Sequence, residues 1–162
     1  MSTISLFVTG GTLDKQYNEI SGELSYSSTS VYDIIKDSRT TLNIEIKKLM
    51  LVDSLEMSQT ERKLVVTNCI ASKNDTIIIT HGTDTMIETA RDIAFENIQK
   101  TIILTGAMIP YKVQKSDSVF NLATALSFVQ TLKFGVYIVM NGHYFLWNDV
   151  RKNKKLGVFE NL

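Results

Sequence analysis

The feature that most constrains this chain is a repeated punctuation: a short β-branched apolar run closed at once by glycine and threonine. Ile4 to Val8 runs into Thr9-Gly10-Gly11-Thr12, and Thr76 to Thr80 runs into His81-Gly82-Thr83-Asp84-Thr85. Runs of this length, bounded by turn residues and followed by helical periodicity, mark strands buried on both faces of a parallel sheet. In an open parallel sheet the ligand crevice lies outside the carboxyl ends of the strands. Glycine there lets main chain approach a bound group closely, and threonine brings a hydroxyl. The two clusters predict one sheet edge where threonine oxygens meet a small substrate, which is an enzyme's arrangement.

Strand and helix patterns alternate along most of the chain. A short helix is expected near Val31–Lys36 and a strand over Asn43–Val52. Ser58-Gln59-Thr60-Glu61 has capping-box spacing and opens a helix to about Ser72, with Leu64, Val65, Asn68 and Cys69 at helical intervals. After the strand Thr76–His81, Thr85 to Glu88 repeats that spacing and opens the next helix. Thr101–Thr105 reads as a strand ending in Gly106-Ala107-Met108-Ile109-Pro110, where the proline marks the exit from the sheet. Ser116 is the expected cap of a helix from Asp117 to about Lys133, and Phe134–Asn141 the following strand. Tyr144 to Trp147 fits one arm of a hairpin with that strand, and the polar stretch from Leu13 to Ser30 reads as a long mobile loop. Four successive strand-helix-strand units predict a single α/β domain. Its sheet is open and mainly parallel with helices on both faces, a flavodoxin-like three-layer sandwich.

Bulk properties exclude several function classes. A chain of 162 residues with 44% apolar residues suffices for one packed core. Seventeen basic side chains balance seventeen acidic ones, so no global field draws nucleic acid or an anionic membrane. The one local excess is Arg151-Lys152-Asn153-Lys154-Lys155. A lone Cys69 rules out an intramolecular disulfide, and with no signal-like segment the expectation is a cytoplasmic protein. No histidine–carboxylate cluster suggests a metal, and no cofactor is expected.

Within the clusters, Thr12 places a hydroxyl just beyond a glycine pair, a pattern shared by a nucleophile and by a plain capping turn. Thr83 adds a second hydroxyl, Asp84 a carboxylate, and the helix start free amides with positive dipole character. His81 invites a general-base assignment, but a histidine in such a run is more often a satisfied structural group.

TGGTL at 9–13, VDSLEM at 52–57, HGTDTMIET at 81–89, TGAMIP at 105–110, SDSVFNLATAL at 116–126 and VYIVMN at 136–141 resemble the amino-terminal domain of bacterial L-asparaginases, in family order. The resemblance implies hydrolysis of L-asparagine to L-aspartate and ammonia. Thr12 would be the nucleophile, and Thr83, Asp84 and Lys152 the second catalytic group, with the lysine accepting a proton through Thr83. It also implies that Ser54 binds the substrate α-carboxylate, that Asp84 meets the α-ammonium, and that Gly11, Gly82 and Ala107 line the substrate. The long asparaginases carry a further, smaller domain, so the expectation is the short, single-domain type, assembled as a homodimer or higher homo-oligomer.

Two positions depart from the long enzymes. Leu55 stands where many of them have a glutamine, which leaves Glu56 to supply a contact to the ammonium. The tyrosine that neighbours the nucleophile has two candidates, Tyr17 and Tyr26, and Asp14-Lys15-Gln16-Tyr17 fits the short type better. The alternatives are a hydrolase of glutamine or another small amide, and an inactive amino-acid-binding relative.

Overall fold

The computed structural model describes residues 2–162. Its framework is a six-stranded sheet of β1 (Ile4–Gly10), β4 (Ile44–Val52), β5 (Thr76–Thr80), β6 (Thr101–Thr105), β7 (Gly135–Met140) and β8 (His143–Leu146), in the order β4-β1-β5-β6-β7-β8. The first five strands are parallel and β8 returns antiparallel on β7, pairing Tyr144 with Val139. The expected α/β fold and the closing hairpin are both present. The sheet order steps outward from β1 to β4, then reverses through β5, which makes the β1/β5 boundary the topological switch point.

Strand alternation divides the core into two layers. Ile77 and Ile79 of β5 face one side with Ile102 and Leu104, under α2 (Gln59–Ala71) and α3 (Met86–Phe95). Ile78 and Ile103 face the other, with Leu6 and Val8, under α1 (Val31–Asp37) and α4 (Ser118–Phe128). Each central strand is therefore covered on both faces, and its run of isoleucine and leucine needs no polar alternation. Cys69 lies wholly inside the first layer as a free thiol, and burial pushes its pKa up to about 12. Among the described residues no helix is long and apolar enough to cross a membrane.

Three local expectations are corrected, and the basic segment takes a definite form. The stretch Leu13–Ser30 is not a structureless loop: after a 3-10 turn (Thr12–Asp14) it folds into a hairpin of β2 (Gln16–Asn18) and β3 (Glu23–Ser25). The basic segment forms β9 (Arg151–Asn153), paired antiparallel with β10 (Val158–Glu160). The Ser58 capping box forms with both reciprocal bonds, whereas Thr85 caps nothing with its side chain. The helix expected from Asp117 starts at Ser118 and ends at Phe128, and the Asp117 carboxylate, instead of capping its amides, accepts from the Asn121 side chain and from the loop after β6.

Candidate active site

Three strand ends meet at the switch point through two glycines. Gly11 has a φ of +76°, and a β-carbon there would lie 2.4 Å from the Gly82 nitrogen. A β-carbon on Gly82 would in turn sit 2.5 Å from the Ser54 hydroxyl oxygen. Only glycine at both positions lets the loops after β1, β4 and β5 stack this closely. Thr12 and Thr83 each follow one of these glycines, which places both residues at the carboxyl edge of the sheet. Ser54 is buried beside them, and the Thr85 hydroxyl donates to the Ser54 carbonyl at 2.9 Å, tying that turn to the start of α3. This better partner is why Thr85 does not cap its own helix.

The lysine comes from far along the chain. Lys152 Nζ donates to Thr83 Oγ1 at 2.7 Å and to Asp84 Oδ1 at 2.9 Å, with the lysine side chain only 12% exposed. Its position on β9 is built by a polar scaffold. Lys152 sits opposite Phe159 in the β9–β10 register, and the Phe159 amide donates to Asn141 Oδ1 at 3.0 Å. Asn141 adopts φ +56° at the end of β7, and its own amide donates to Asn121 Oδ1 of α4. Asn121 Nδ2 donates to the Gly106 carbonyl and to Asp117, whose carboxylate also accepts the Met108 and Ile109 amides. Asp117, Asn121 and Asn141 do not stand out in the sequence as site residues, although two of the family motifs contain them. Their signal is a cluster of short amide and carboxylate side chains beside turns.

Around Thr12 the arrangement differs from the expectation. Tyr17 is 66% exposed on the β2 hairpin, with no hydrogen bond from its hydroxyl. Tyr26, by contrast, has its hydroxyl buried beside the Gly11 backbone, and burial with the nearby Asp53 carboxylate raises its pKa. Lys15 forms an ion pair with Asp53, and this bond holds the Asp53 carboxyl below the usual carboxylate range. Asp53 also accepts the Leu55 amide at 3.0 Å, so the pair joins the Thr12 turn to the Ser54 turn. Leu55 is 69% exposed, Glu56 is exposed, and Ala107 is fully buried.

Residues 3–159 match the family described as Asparaginase, N-terminal. The chain belongs to the asparaginase family. An L-asparaginase of Thermococcus kodakarensis is 29% identical over 156 residues, covering 93% of this chain and 47% of that protein. The solved structure of the thermostable L-asparaginase from the same organism superposes with a TM-score of 0.87 at 27% identity, over 99% of this chain and 51% of that one. Escherichia coli L-asparaginase 1 is 31% identical over 137 residues, covering 78% of this chain and 40% of the relative. A protein of Pseudomonas aeruginosa named glutaminase-asparaginase is 25% identical over 169 residues, covering 94% and 46%. The chain thus spans about half the length of the relatives it matches.

In this asparaginase-family site two buried ionisable groups lie just outside the crevice. Asp14 accepts the Thr29 hydroxyl and the Ser30 amide through Oδ1, while Oδ2 has no partner among the described residues. Burial lifts its pKa to about 6. His81 is fully buried with both ring nitrogens hydrogen-bonded, and burial lowers its pKa to about 4. It faces Thr89 and its own chain rather than the crevice, in line with a structural group and not a general base.

Proposed function

We propose that this protein is an amidohydrolase that converts L-asparagine and water to L-aspartate and ammonia. The observation that carries the reading is the Thr83–Lys152–Asp84 cluster, with Nζ 2.7 Å from one oxygen and 2.9 Å from the other, on the sheet edge where the turn that begins at Thr12 also lies. A hydroxyl is a weak nucleophile until a neighbouring group takes its proton. In this mechanism Thr12 Oγ1 attacks the side-chain amide carbon, and its proton passes to the leaving nitrogen, which departs as ammonia. Water then adds to the acyl–Thr12 ester, giving up one proton by way of the Thr83–Lys152–Asp84 group, and Thr12 Oγ1 leaves and takes up that proton as L-aspartate is released. The Gly82, Thr83 and Asp84 amides donate no hydrogen bond among the described residues, which leaves donors for the oxyanion or for the substrate carboxylate beside Ser54. The exposed Asp84 carboxylate is the partner for the substrate ammonium, with Glu56 at the rim. Tyr26 takes the place of the tyrosine beside the nucleophile.

The second reading is glutamine as substrate. It is favoured by the exposed Leu55 at the rim and by the relative named for both amides. One methylene in a pocket discriminates by only about 1–3 kcal/mol. Ammonia release measured with asparagine and glutamine in parallel tests both readings; asparagine turning over faster is the expected result, the reverse ranking selects the second, and no release from either removes the activity.

We also propose that the chain works as a homo-oligomer in the cytoplasm. Phe134, Tyr144 and Leu146 leave apolar surface exposed along the free edge strand β8, the kind of edge that pairs with another copy. Light scattering at micromolar concentration is expected to give a mass of at least twice 18.2 kDa, and a fully active monomer overturns the assembly.

A further inference from the structure

Behind the crevice, Arg62 of α2, Thr89 of α3 and His81 after β5 form a chain of hydrogen bonds that the proposed hydrolysis does not use. All three residues are buried. We propose that this chain is a one-directional clamp that positions the Gly82–Thr83 peptide, which makes His81 a positioning residue for the proposed hydrolysis. The inference rests on the reading that Thr83 belongs to the proton relay.

The direction follows from what each group can do. The Arg62 guanidinium only donates, so the Thr89 oxygen accepts from it. At the other end the Gly82 carbonyl only accepts, so a neutral His81 ring must donate to it through Nδ1, and the single Thr89 proton goes to His81 Nε2, 2.8 Å away. Nε2 is therefore the unprotonated nitrogen, and Nδ1 carries the proton that meets the Gly82 carbonyl at 2.9 Å. A carbonyl only accepts, so no link can be reversed. Burial and the Arg62 charge both oppose protonation of the ring, which keeps it neutral and the sequence of donors intact.

Fixing the Gly82 carbonyl has a consequence on the far side of the peptide plane. The bond is trans, like every other described here. The Thr83 N–H therefore points opposite to the clamped carbonyl, and it donates to nothing among the described residues. The same residue presents its hydroxyl to Lys152 at 2.7 Å. A guanidinium and an imidazole are expensive to bury, and apolar side chains of equal volume would pack without that desolvation. What the polar chain adds over apolar packing is orientation of one peptide, and a misplacement near 1 Å in a catalytic site costs roughly 10²-fold in rate.

Two measurements test the clamp. Nitrogen-15 NMR of the wild-type protein at neutral pH is expected to show His81 as the Nδ1–H tautomer, the less common one in free histidine; an Nε2–H ring overturns the clamp regardless of any activity. In steady-state kinetics with asparagine, His81→Leu and Thr89→Val are expected to lower kcat about tenfold to a hundredfold with KM changed less than about twofold. His81→Asn, whose amide nitrogen stands in for Nδ1, and Thr89→Ser, which keeps the hydroxyl, are expected to recover most of kcat. Folded His81→Leu and Thr89→Val variants with kcat within about twofold of wild type overturn the positioning role while leaving the hydrolase reading in place. If His81→Leu does not fold, the Thr89 pair and the tautomer decide. A wild type without amidase activity removes the catalytic consequence, and the tautomer still decides the hydrogen-bond direction.

Discussion

Valine is nearly isosteric with threonine, which makes Thr12→Val the sharpest probe of the proposed nucleophile: it removes the hydroxyl and little else. Lys152→Met keeps much of the lysine stem and removes the charge that bonds Thr83 and Asp84. Both variants are expected to lose at least about 10³-fold in kcat while keeping the wild-type melting temperature, as removal of a member of a catalytic unit typically does. Ammonia release near the wild-type rate from either folded variant takes that residue out of the chemistry. The two tyrosines give a second prediction. Tyr26→Phe is expected to reduce kcat about tenfold or more, because its hydroxyl is buried beside Gly11, and Tyr17→Phe to be nearly silent, because its ring stands in solvent. The opposite ranking in steady-state kinetics means that the β2–β3 hairpin must move before Thr12 acts. Thr12, Thr83 and Asp84 draw notice in the sequence because they follow glycines at strand ends, and the resemblance gives them their proposed roles. Lys152 needs the family, since its contact with Thr83 spans 69 positions. Spacing from Thr12 does not choose between Tyr17 and Tyr26, because it says nothing about which way a hairpin turns its side chains.

Elements are legible wherever the periodicity is long and fail where it is short. The nine residues of β4 and the thirteen of α2 fall within a residue or two of their expected bounds. Four strands of three residues each, β2, β3, β9 and β10, are invisible, because three residues carry no usable alternation. Yet one of these short strands carries Lys152, and the β2–β3 hairpin directly follows the turn that begins at Thr12. That hairpin exposes Tyr17, Ile20 and Leu24 and has few buried anchors of its own. Its amides are accordingly expected to exchange with solvent faster than those of β5 and β6, and to slow when aspartate binds, as a segment closing over a ligand does. Hydrogen exchange that is slow in the free protein, or unchanged by aspartate, removes the hairpin as a lid.

At the scale of the whole molecule the alternation of strands and helices foretells the layered sheet, but not which buried polar groups the packing encloses. Two of these set opposed pH dependences on stability. His81 titrates at about 4 in the fold against about 6.5 in an unfolded chain, so the unfolded state takes up the proton first. Its contribution is complete above pH 6.5 and is lost as the pH falls toward 4. Asp14 runs the other way: its carboxyl titrates at about 6 when folded and near 3.8 when not. Between those values the folded state binds more protons, so stability is lost as the pH rises, and above pH 6 the buried charge with its unpartnered Oδ2 carries its full penalty. A tenfold change in proton affinity on folding is worth ~1.4 kcal/mol, so each effect reaches about 3 kcal/mol and the two nearly cancel between pH 4 and 6. Asp14→Asn breaks the balance. The amide keeps an oxygen for Thr29 and Ser30 and has no charge to desolvate. The variant is expected to melt about 5–10 °C above wild type at pH 7.5, with the advantage shrinking toward zero near pH 4. Its stability is also expected to climb steadily from pH 4 to 6.5, where that of the wild type stays level. Melting curves at half-unit pH intervals decide the matter: an advantage that is constant with pH, or a variant less stable at pH 7.5, means that Asp14 is not a charge the fold holds at its own expense.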